Sequence, residues 1–205
     1  MRLIGCGTVT SSSVVSACVL SDDGTNQRSP SQLWASGYEI YDRLSPPMRS
    51  FLEGLTATHD ANFFHDQARL LGNPLREGQR GSPLNQGPDL AATHPVVRTN
   101  PVTGWRSVFV NRGFTKRING VTRDESDALL AYLFGLVTQN HDAQVRFRWG
   151  EGGQDVAVWD NRCTLHCATY DYGEGDREGD RVCSLGEAPY LDLAVGSGRR
   201  EALGL

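Results

Sequence analysis

Apolar residues recur at helical spacing in two segments of the chain. In the first segment, Ser45 provides a hydroxyl N-cap and is followed by Pro46 and Pro47, which need no amide donor in a first turn. The apolar positions after it are Met48, Phe51, Leu52 and Leu55, with Gly54 near the end. In the second, Thr122 and Glu125 have the spacing of a capping box ahead of an apolar stripe. That stripe comprises Leu129, Leu130, Leu133, Phe134, Leu136 and Val137. The pattern predicts two helices.

Alternation with a period of two predicts the strands. Residues 95–99 and 105–110 are rich in strand formers on either side of a turn at 100–104, and residues 145–149 and 156–158 alternate around a glycine-containing turn at 151–154. We therefore predict two hairpins, a last strand at 181–185 and a long surface loop at 72–93. The predicted fold is mainly β with flanking helices (α+β). It is typical of a β-sandwich or jelly roll, also called a double-stranded β-helix.

The two ends of the chain lack such patterns. Residues 1–32 contain a weakly apolar stretch that threonines and serines interrupt, which makes a poor signal peptide. We expect 1–32 to be a non-homologous, disordered leader that adds no strand to the fold. The folded domain is expected at 33–192, and residues 193–205 are expected to form a C-terminal tail.

Composition and charge narrow the functional class. The 20 Lys+Arg and 24 Asp+Glu give a net charge of −4, and no basic cluster is present, which argues against nucleic-acid binding. No apolar run approaches the roughly 20 residues of a membrane span. The cysteine count of five is odd, which favours free thiols and a cytoplasmic location. Cys163, His166 and Cys167 lack a second ligand pair at zinc-site spacing, so we expect no zinc.

Several blocks, in order along the chain, resemble one enzyme family. The run from Trp159 to His166, followed by Arg177 and Arg181, resembles the C-terminal half of the taurine dioxygenase (TauD/TfdA) family, particularly its fungal members. Further blocks similar to that family are Leu33–Ser36, Leu44–Pro46, Leu52–Leu55, His94–Arg98, Phe109–Thr115 and Glu125–Ser126. The resemblance covers about residues 33–192 and implies a double-stranded β-helix that is incomplete on its N-terminal side.

The resemblance implies an Fe(II) site with 2-oxoglutarate as co-substrate. His166 matches the distal histidine of the family's two-histidine, one-carboxylate iron triad. Arg177 matches the arginine that grips the far carboxylate of 2-oxoglutarate, a task that suits a planar guanidinium fork. Arg181 matches the arginine that holds the anionic group of the substrate, and Phe114 is a candidate for the pocket lining. From the residues alone, His166 also fits a core histidine, Phe114 fits core packing, and both arginines fit surface ion pairs.

The resemblance also implies a reaction and its partners. Such enzymes oxidise the C–H bond next to a sulfonate and release sulfite, while 2-oxoglutarate and O2 yield succinate and CO2. We expect taurine, a related alkylsulfonate or another small anion as substrate, because one arginine recognises sulfonates, carboxylates and phosphates alike. Nucleic-acid and membrane partners are not expected, and the sequence leaves the oligomeric state open.

The sequence departs from the family before Leu33. None of the five histidines has a carboxylate two positions later, so the His-x-Asp pair of iron ligands is missing. The family's Gly-Gly-Asp-Thr run, whose threonine helps to hold 2-oxoglutarate, is replaced by Ser29-Pro30-Ser31-Gln32. His59-Asp60 or His65-Asp66 would bind one metal only across a bend, because adjacent strand residues point to opposite faces. Two hypotheses remain: a dioxygenase, or a catalytically inactive truncated fragment that at most binds an anion or another chain.

Overall fold

Eleven strands and five helices make up the part of the chain that the structure, a computed structural model, describes. It describes residues 13–21, 31–75, 78–83, 85–150, 155–171 and 178–205, with the backbone alone at 13–21 and 178–180. The strands are β1 Ser13–Ser21, β2 Ser31–Ser36, β3 Thr56–Asp60, β4 Ala91–Pro95, β5 Val97–Thr99, β6 Arg106–Val108, β7 Thr115–Ile118, β8 Gln144–Arg148, β9 Val156–Trp159, β10 Thr164–Ala168 and β11 Glu178–Leu185. The helices are α1 Gly37–Asp42, α2 Pro46–Glu53, α3 Phe63–Leu71, α4 Arg123–Gln139 and α5 Arg199–Leu203. Among the described residues, no helix has the length and apolarity that crossing a membrane requires.

Both helices predicted from the sequence are confirmed. α2 begins at Pro46 and ends before Gly54, and Ser45 is its N-cap residue. The predicted hydroxyl cap is wrong, because the Ser45 side chain makes no capping hydrogen bond. At the start of α4, Glu125 N–H donates to Thr122 Oγ1 at 3.3 Å, and Thr122 N–H donates to Glu125 Oε2 at 2.8 Å, which completes the capping box. α1 and α3 are short helices that the apolar spacing did not predict.

The strands form four antiparallel sheets. Their orders are β11-β1-β9, β10-β2-β8, β4-β3-β7 and β5-β6. The last four strands alternate between the first two sheets, with β8 and β10 in one and β9 and β11 in the other. This alternation brings the side chains of two different sheets together at the end of the chain.

The two predicted hairpins have different outcomes. The first is confirmed, because β5 pairs with β6 and Val97 lies opposite Val108. The second is wrong: β8 pairs with β2, whereas β9 pairs with β1. The alternation of apolar residues identified β8 and β9 as strands, but strands from distant parts of the chain are their hydrogen-bonding partners.

The expectation that residues 1–32 add no strand is also wrong. β1 lies between β9 and β11, and β2, which begins at Ser31, lies between β8 and β10. β1 contains Ser13, Ser16 and Ser21 beside its apolar residues, so the serines in this stretch do not prevent a strand from forming. The rest of this predicted leader lies outside the described residues.

Among the side chains that the structure describes, the main apolar core lies against the helices. Its fully buried members include Ile40 of α1, Leu52 of α2 and Leu133 of α4, packed against Val97 and Ile118. The predicted C-terminal tail carries α5, and the Arg200 N–H at its start donates to Asp42 Oδ2 at 3.0 Å. This core packs the helices against the strands of the central part of the chain.

Candidate functional site

His166 lies on β10, where the side chains of two sheets meet. In the cross-strand register it stands opposite Trp34 of the central strand β2, so the two side chains share one face. The Trp34 ring centroid is 5.4 Å from that of Trp159 on β9, and the Trp159 centroid is 5.0 Å from the His166 ring. Aromatic packing therefore joins the two sheets directly beside His166.

The structure brings His166 and Arg181 together. Arg181 Nη2 on β11 lies 3.2 Å from His166 Nε2, and the guanidinium stands 5.4 Å from the Trp159 ring centroid, over its face. On the other side of the imidazole, Gln32 Nε2 lies 3.3 Å from His166 Nδ1. The two candidate residues, which are fifteen positions apart in the sequence, thus form one constellation with Gln32 and Trp159.

The environment of His166 favours the neutral imidazole. Its side chain keeps an exposed face, while protein atoms crowd its other sides. This desolvation, together with the positive charge of Arg181, lowers the pKa of His166 to about 4. A neutral imidazole has one nitrogen with a free lone pair, which is the form that binds metals or accepts a hydrogen bond.

The other two predicted site residues are Arg177 and Phe114. Arg177 lies outside the described residues. Phe114 packs against Phe63 and Phe64, with ring centroids 5.9 and 6.2 Å away, in a small cluster with Ala61 and Leu90. No described contact joins Phe114 to the His166 constellation, so a role in lining the substrate pocket stays a prediction.

A tight turn fixes the entry into β10. Asp160 accepts hydrogen bonds from the backbone N–H and the guanidinium of Arg162, the shortest at 2.9 Å. Trp159 Nε1–H donates to Asn161 Oδ1 at 2.6 Å, which orients the ring that packs on His166. Asp160, Asn161 and Arg162 thus set a turn directly before β10.

Behind this turn lies a buried ion network. Arg98 of β5 is fully buried and its Nη2–H donates to Glu187 Oε1 at 2.5 Å. The other Glu187 oxygen lies 3.7 Å from Arg162 Nη1. Burial lowers the pKa of Arg98, whereas the charge of Glu187 opposes that shift. The network anchors the β10 entry to the central core through β5.

Asp171 anchors the start of β2, which carries Gln32. Its carboxylate accepts from the backbone N–H of Ser31 at 3.0 Å and from the Ser31 hydroxyl at 2.6 Å. Thr169 Oγ1–H donates to it at 2.5 Å and Arg146 Nη2–H at 2.6 Å. Desolvation raises the pKa of Asp171, but these hydrogen bonds outweigh it and hold that pKa well below its usual range. The sequence did not identify Asp171 or Gln32 as residues of this site. For Gln32 the only signal was that it lies in the run before Leu33 where the sequence departs from the family.

A cavity of about 480 Å³ lies on the opposite face of the β10-β2-β8 sheet. Ser31, Arg146, Arg148 and Asp171 line it. Arg146 stands opposite Leu33, one position along β2 from Trp34, so its side chain points away from His166. The cavity is therefore separate from the constellation around His166.

His59 and His94 form a buried histidine pair elsewhere in the fold. Their ring centroids are 5.3 Å apart, and both pack against Phe109. His59 Nδ1 lies 3.2 Å from Thr115 Oγ1, and His59 Nε2 is buried without a hydrogen-bond partner. Burial, with a smaller contribution from His94, lowers the pKa of His59 to about 4. His59 is therefore a residue of the protein core.

The described residues do not complete an iron site. Among them, no group of three His, Cys, Asp or Glu side chains is placed to hold a metal ion. His166 offers one suitable imidazole, while Asp60 Oδ1 accepts from Asn62 N–H and His65 Nε2 contacts Pro88 O at 2.6 Å. Neither His59-Asp60 nor His65-Asp66 therefore joins His166 in the described part of the chain.

Comparison with known proteins matches this chain to one family. Residues 31–183 match the family described as taurine catabolism dioxygenase TauD, TfdA family. The α-ketoglutarate-dependent dioxygenase btcD of Neocamarosporium betae is 54% identical over 171 residues, which are 83% of this chain and 49% of that protein. The α-ketoglutarate-dependent sulfonate dioxygenase of Saccharomyces cerevisiae is 35% identical over 164 residues, or 78% of this chain and 36% of that protein.

A solved structure gives the same assignment. The crystal structure of a taurine dioxygenase from Burkholderia xenovorans superposes with a TM-score of 0.70 at 29% identity, and covers 90% of this chain and 58% of the other. The chain thus spans about half the length of the first curated relative and 36% of the length of the second. The match of residues 31–183 and the relatives together place this chain in the TauD/TfdA family of α-ketoglutarate-dependent dioxygenases.

Proposed function

We propose that this chain carries the co-substrate-binding and substrate-binding part of an Fe(II)/2-oxoglutarate-dependent dioxygenase. Its substrate in this proposal is taurine, a related alkylsulfonate or another small anion. The observation that carries the proposal is the contact between Arg181 and His166 across two sheets, 3.2 Å between Nη2 and Nε2. A basic group for an anion and an imidazole for a metal thus stand side by side.

Family membership implies Fe(II) as cofactor and 2-oxoglutarate as co-substrate. When bound, Fe(II) would be the group that reacts with O2. His166 is proposed as one iron ligand, since a neutral imidazole suits this metal. Because the described residues offer no complete iron site, we derive no catalytic step through the metal.

The arginines are proposed to bind the two anionic groups. Arg177 is assigned the far carboxylate of 2-oxoglutarate and Arg181 the anionic group of the substrate. The Arg181 guanidinium lies over the Trp159 ring and beside His166, which limits the directions in which its N–H groups donate. A fixed fork suits sulfonate and carboxylate oxygens, and the sulfonate named for the yeast relative favours the former.

We also propose that the fold is a jelly roll. In this architecture strands alternate between two sheets that pack face to face. The alternation of β8 to β11 between the β10-β2-β8 and β11-β1-β9 sheets supports this assignment. The contact of Trp34 with Trp159 supports face-to-face packing of the same sheets.

A second candidate function is a binding protein without catalysis. The observation that favours it is the missing His-x-Asp pair, together with the lack of a three-ligand group among the described residues. In that case the Arg181 constellation would bind an anion but no oxidation would follow, since one imidazole holds Fe(II) too weakly.

Binding and turnover of the same sample separate the two candidates. Binding of 2-oxoglutarate and of taurine is measured by calorimetry, and succinate formation is measured with Fe(II), ascorbate and 2-oxoglutarate, with and without taurine. The variants are Arg177→Ala, Arg181→Gln and, as a matched control on the other sheet face, Arg146→Gln. We expect Arg181→Gln to weaken taurine binding about tenfold or more, because a charge-assisted hydrogen bond is worth about 1.5–3 kcal/mol. Arg146→Gln should leave it unchanged.

The outcomes are distinct. Taurine-dependent succinate that disappears in Arg177→Ala supports the dioxygenase and contradicts the inactive alternative. Taurine binding that needs Arg181, without succinate above the level of free iron, supports the binding protein. Taurine binding that is absent, or equal in Arg181→Gln and the wild type, contradicts both.

A further inference from the structure

Gln32 occupies a position that the family resemblance assigns to a different task. It stands where the family's run has the threonine that helps to hold 2-oxoglutarate. In this chain its side chain reaches His166 instead, with 3.3 Å between Gln32 Nε2 and His166 Nδ1. Gln32 is 6% exposed, so water has little access to this contact.

The two neighbours of the His166 ring impose a condition on its proton. Arg181 Nη2 lies 3.2 Å from His166 Nε2, and a guanidinium can only donate. Nε2 must therefore accept, so in a neutral imidazole the single ring proton is on Nδ1. An amide N–H facing that Nδ1–H would set two donors against each other. Rotation of the Gln32 amide by 180° resolves the conflict, since it places Oε1, an acceptor, next to Nδ1–H.

We propose that Gln32 is a positioning residue that holds His166 in the Nδ1–H tautomer, its amide oxygen accepting from Nδ1–H so that the Nε2 lone pair faces Arg181. The proposal rests on the proposed function, in which His166 Nε2 and Arg181 face the bound molecules. The tautomer matters there because a protonated Nε2 could neither accept from Arg181 nor bind a metal.

The surroundings of Gln32 support this role. β2 is the central strand of its sheet, and Asp171 holds its first residue, Ser31, through the backbone N–H and the hydroxyl. The strand that carries Gln32 is thus fixed at its start and on both edges. A fixed backbone and a buried amide give the hydrogen bond to Nδ1–H a defined direction.

The tautomer can be read directly by NMR. Long-range ¹H–¹⁵N correlations distinguish a protonated ring nitrogen from an unprotonated one in ¹⁵N-labelled full chain without added metal. The signals of His166 are identified by their loss in His166→Asn. We expect Nδ1 protonated and Nε2 unprotonated at pH 7.5.

Two substitutions of Gln32 test its part in this state. Gln32→Met keeps the side-chain length but offers no acceptor of comparable strength, so the Nδ1–H to Nε2–H ratio should fall about fivefold, the loss of one ordinary hydrogen bond. Gln32→Glu keeps an acceptor and should retain the wild-type tautomer. Gln144→Met in β8, whose amide donates to Val137 O, is the control and should not change His166.

Each outcome decides the proposal. The expected pattern, in which Glu retains and Met weakens the tautomer, supports it. An Nε2–H tautomer in the wild type overturns it, even if no variant folds. An unchanged ratio in Gln32→Met also overturns it, because Arg181 alone would then set the proton. Since the readout needs neither taurine nor turnover, failure of the proposed function would leave this result unaffected.

Discussion

At the residue scale, the buried imidazole of His59 makes stability depend on pH. It is 4% exposed, and its lowered pKa of about 4 means that the fold prefers the neutral ring. In the unfolded chain a histidine titrates near pH 6.5. The stabilisation is therefore complete above about pH 6.5 and is lost as the pH falls towards 4. We expect a loss of about 3 kcal/mol over that range, measured by urea unfolding at several pH values.

Two variants test whether His59 causes this loss of stability at acid pH. His59→Phe should flatten the pH dependence, because it removes the titrating group that faces His94 and Phe109. His141→Gln, which changes an exposed histidine, should retain the wild-type slope. An equally steep acid loss in His59→Phe would mean that another group, such as His94, is responsible.

Single residues were predicted from the sequence where the family motif marked them. His166 and Arg181 were both predicted as site residues, and the structure places Arg181 Nη2 3.2 Å from His166 Nε2. Their roles stay predictions. Gln32 was noticed only as a departure, because a sequence does not tell which side chain an amide will reach. Asp171 gave no signal at all, since its role depends on the meeting of β2, β8 and β10, which no local pattern encodes.

At the element scale, the Arg98–Glu187 pair ties the entry of β10 to the core. Arg98 is fully buried, so a substitution that removes the Glu187 charge leaves a buried guanidinium with less compensation. We expect Glu187→Gln to lower the free energy of unfolding by about 2 kcal/mol, measured by denaturant titration at pH 7. Glu201→Gln, at an exposed position of α5, is the control and should change it by less than about 0.5 kcal/mol. Equal values for the two variants would contradict this role of the network.

Elements were predictable where the signal is local. The Thr122–Glu125 capping box and the two prolines in the first turn of α2 are properties of a few adjacent residues, and both helices are confirmed. The β8–β9 hairpin was wrong because alternation identifies a strand without its partner. The partners, β2 and β1, lie more than a hundred positions earlier in the chain.

At the scale of the whole molecule, the β11-β1-β9 sheet presents apolar side chains to solvent. Val156, Val158 and Val182 are 60%, 65% and 72% exposed. Val158 and Val182 both stand opposite Ala17, so they lie on one face, and this face points away from Trp159. Exposed apolar faces on sheets favour association between chains.

We expect concentration-dependent self-association through this face. Val158→Thr keeps strand propensity but reduces apolar area, and should weaken association about tenfold, as the loss of roughly 1.5 kcal/mol of valine burial would. Sedimentation velocity over a range of concentrations measures it. Val102→Thr, at a loop valine that is 78% exposed, is the control. Identical association in both variants would contradict a role for the sheet face.

The pairing of β1 also has a consequence for the order of folding. Val19 pairs with Asp180 and with Val156, so this sheet joins the two ends of the chain, whereas the core of α1, α2 and α4 uses residues in between. Contacts between distant positions carry a large loop-closure entropy and form late. On the ribosome, β1 and β2 emerge well before β8 to β11 and must wait for them. We therefore expect the helical core to form first, and the constellation around His166 to assemble only after β11 has been synthesised.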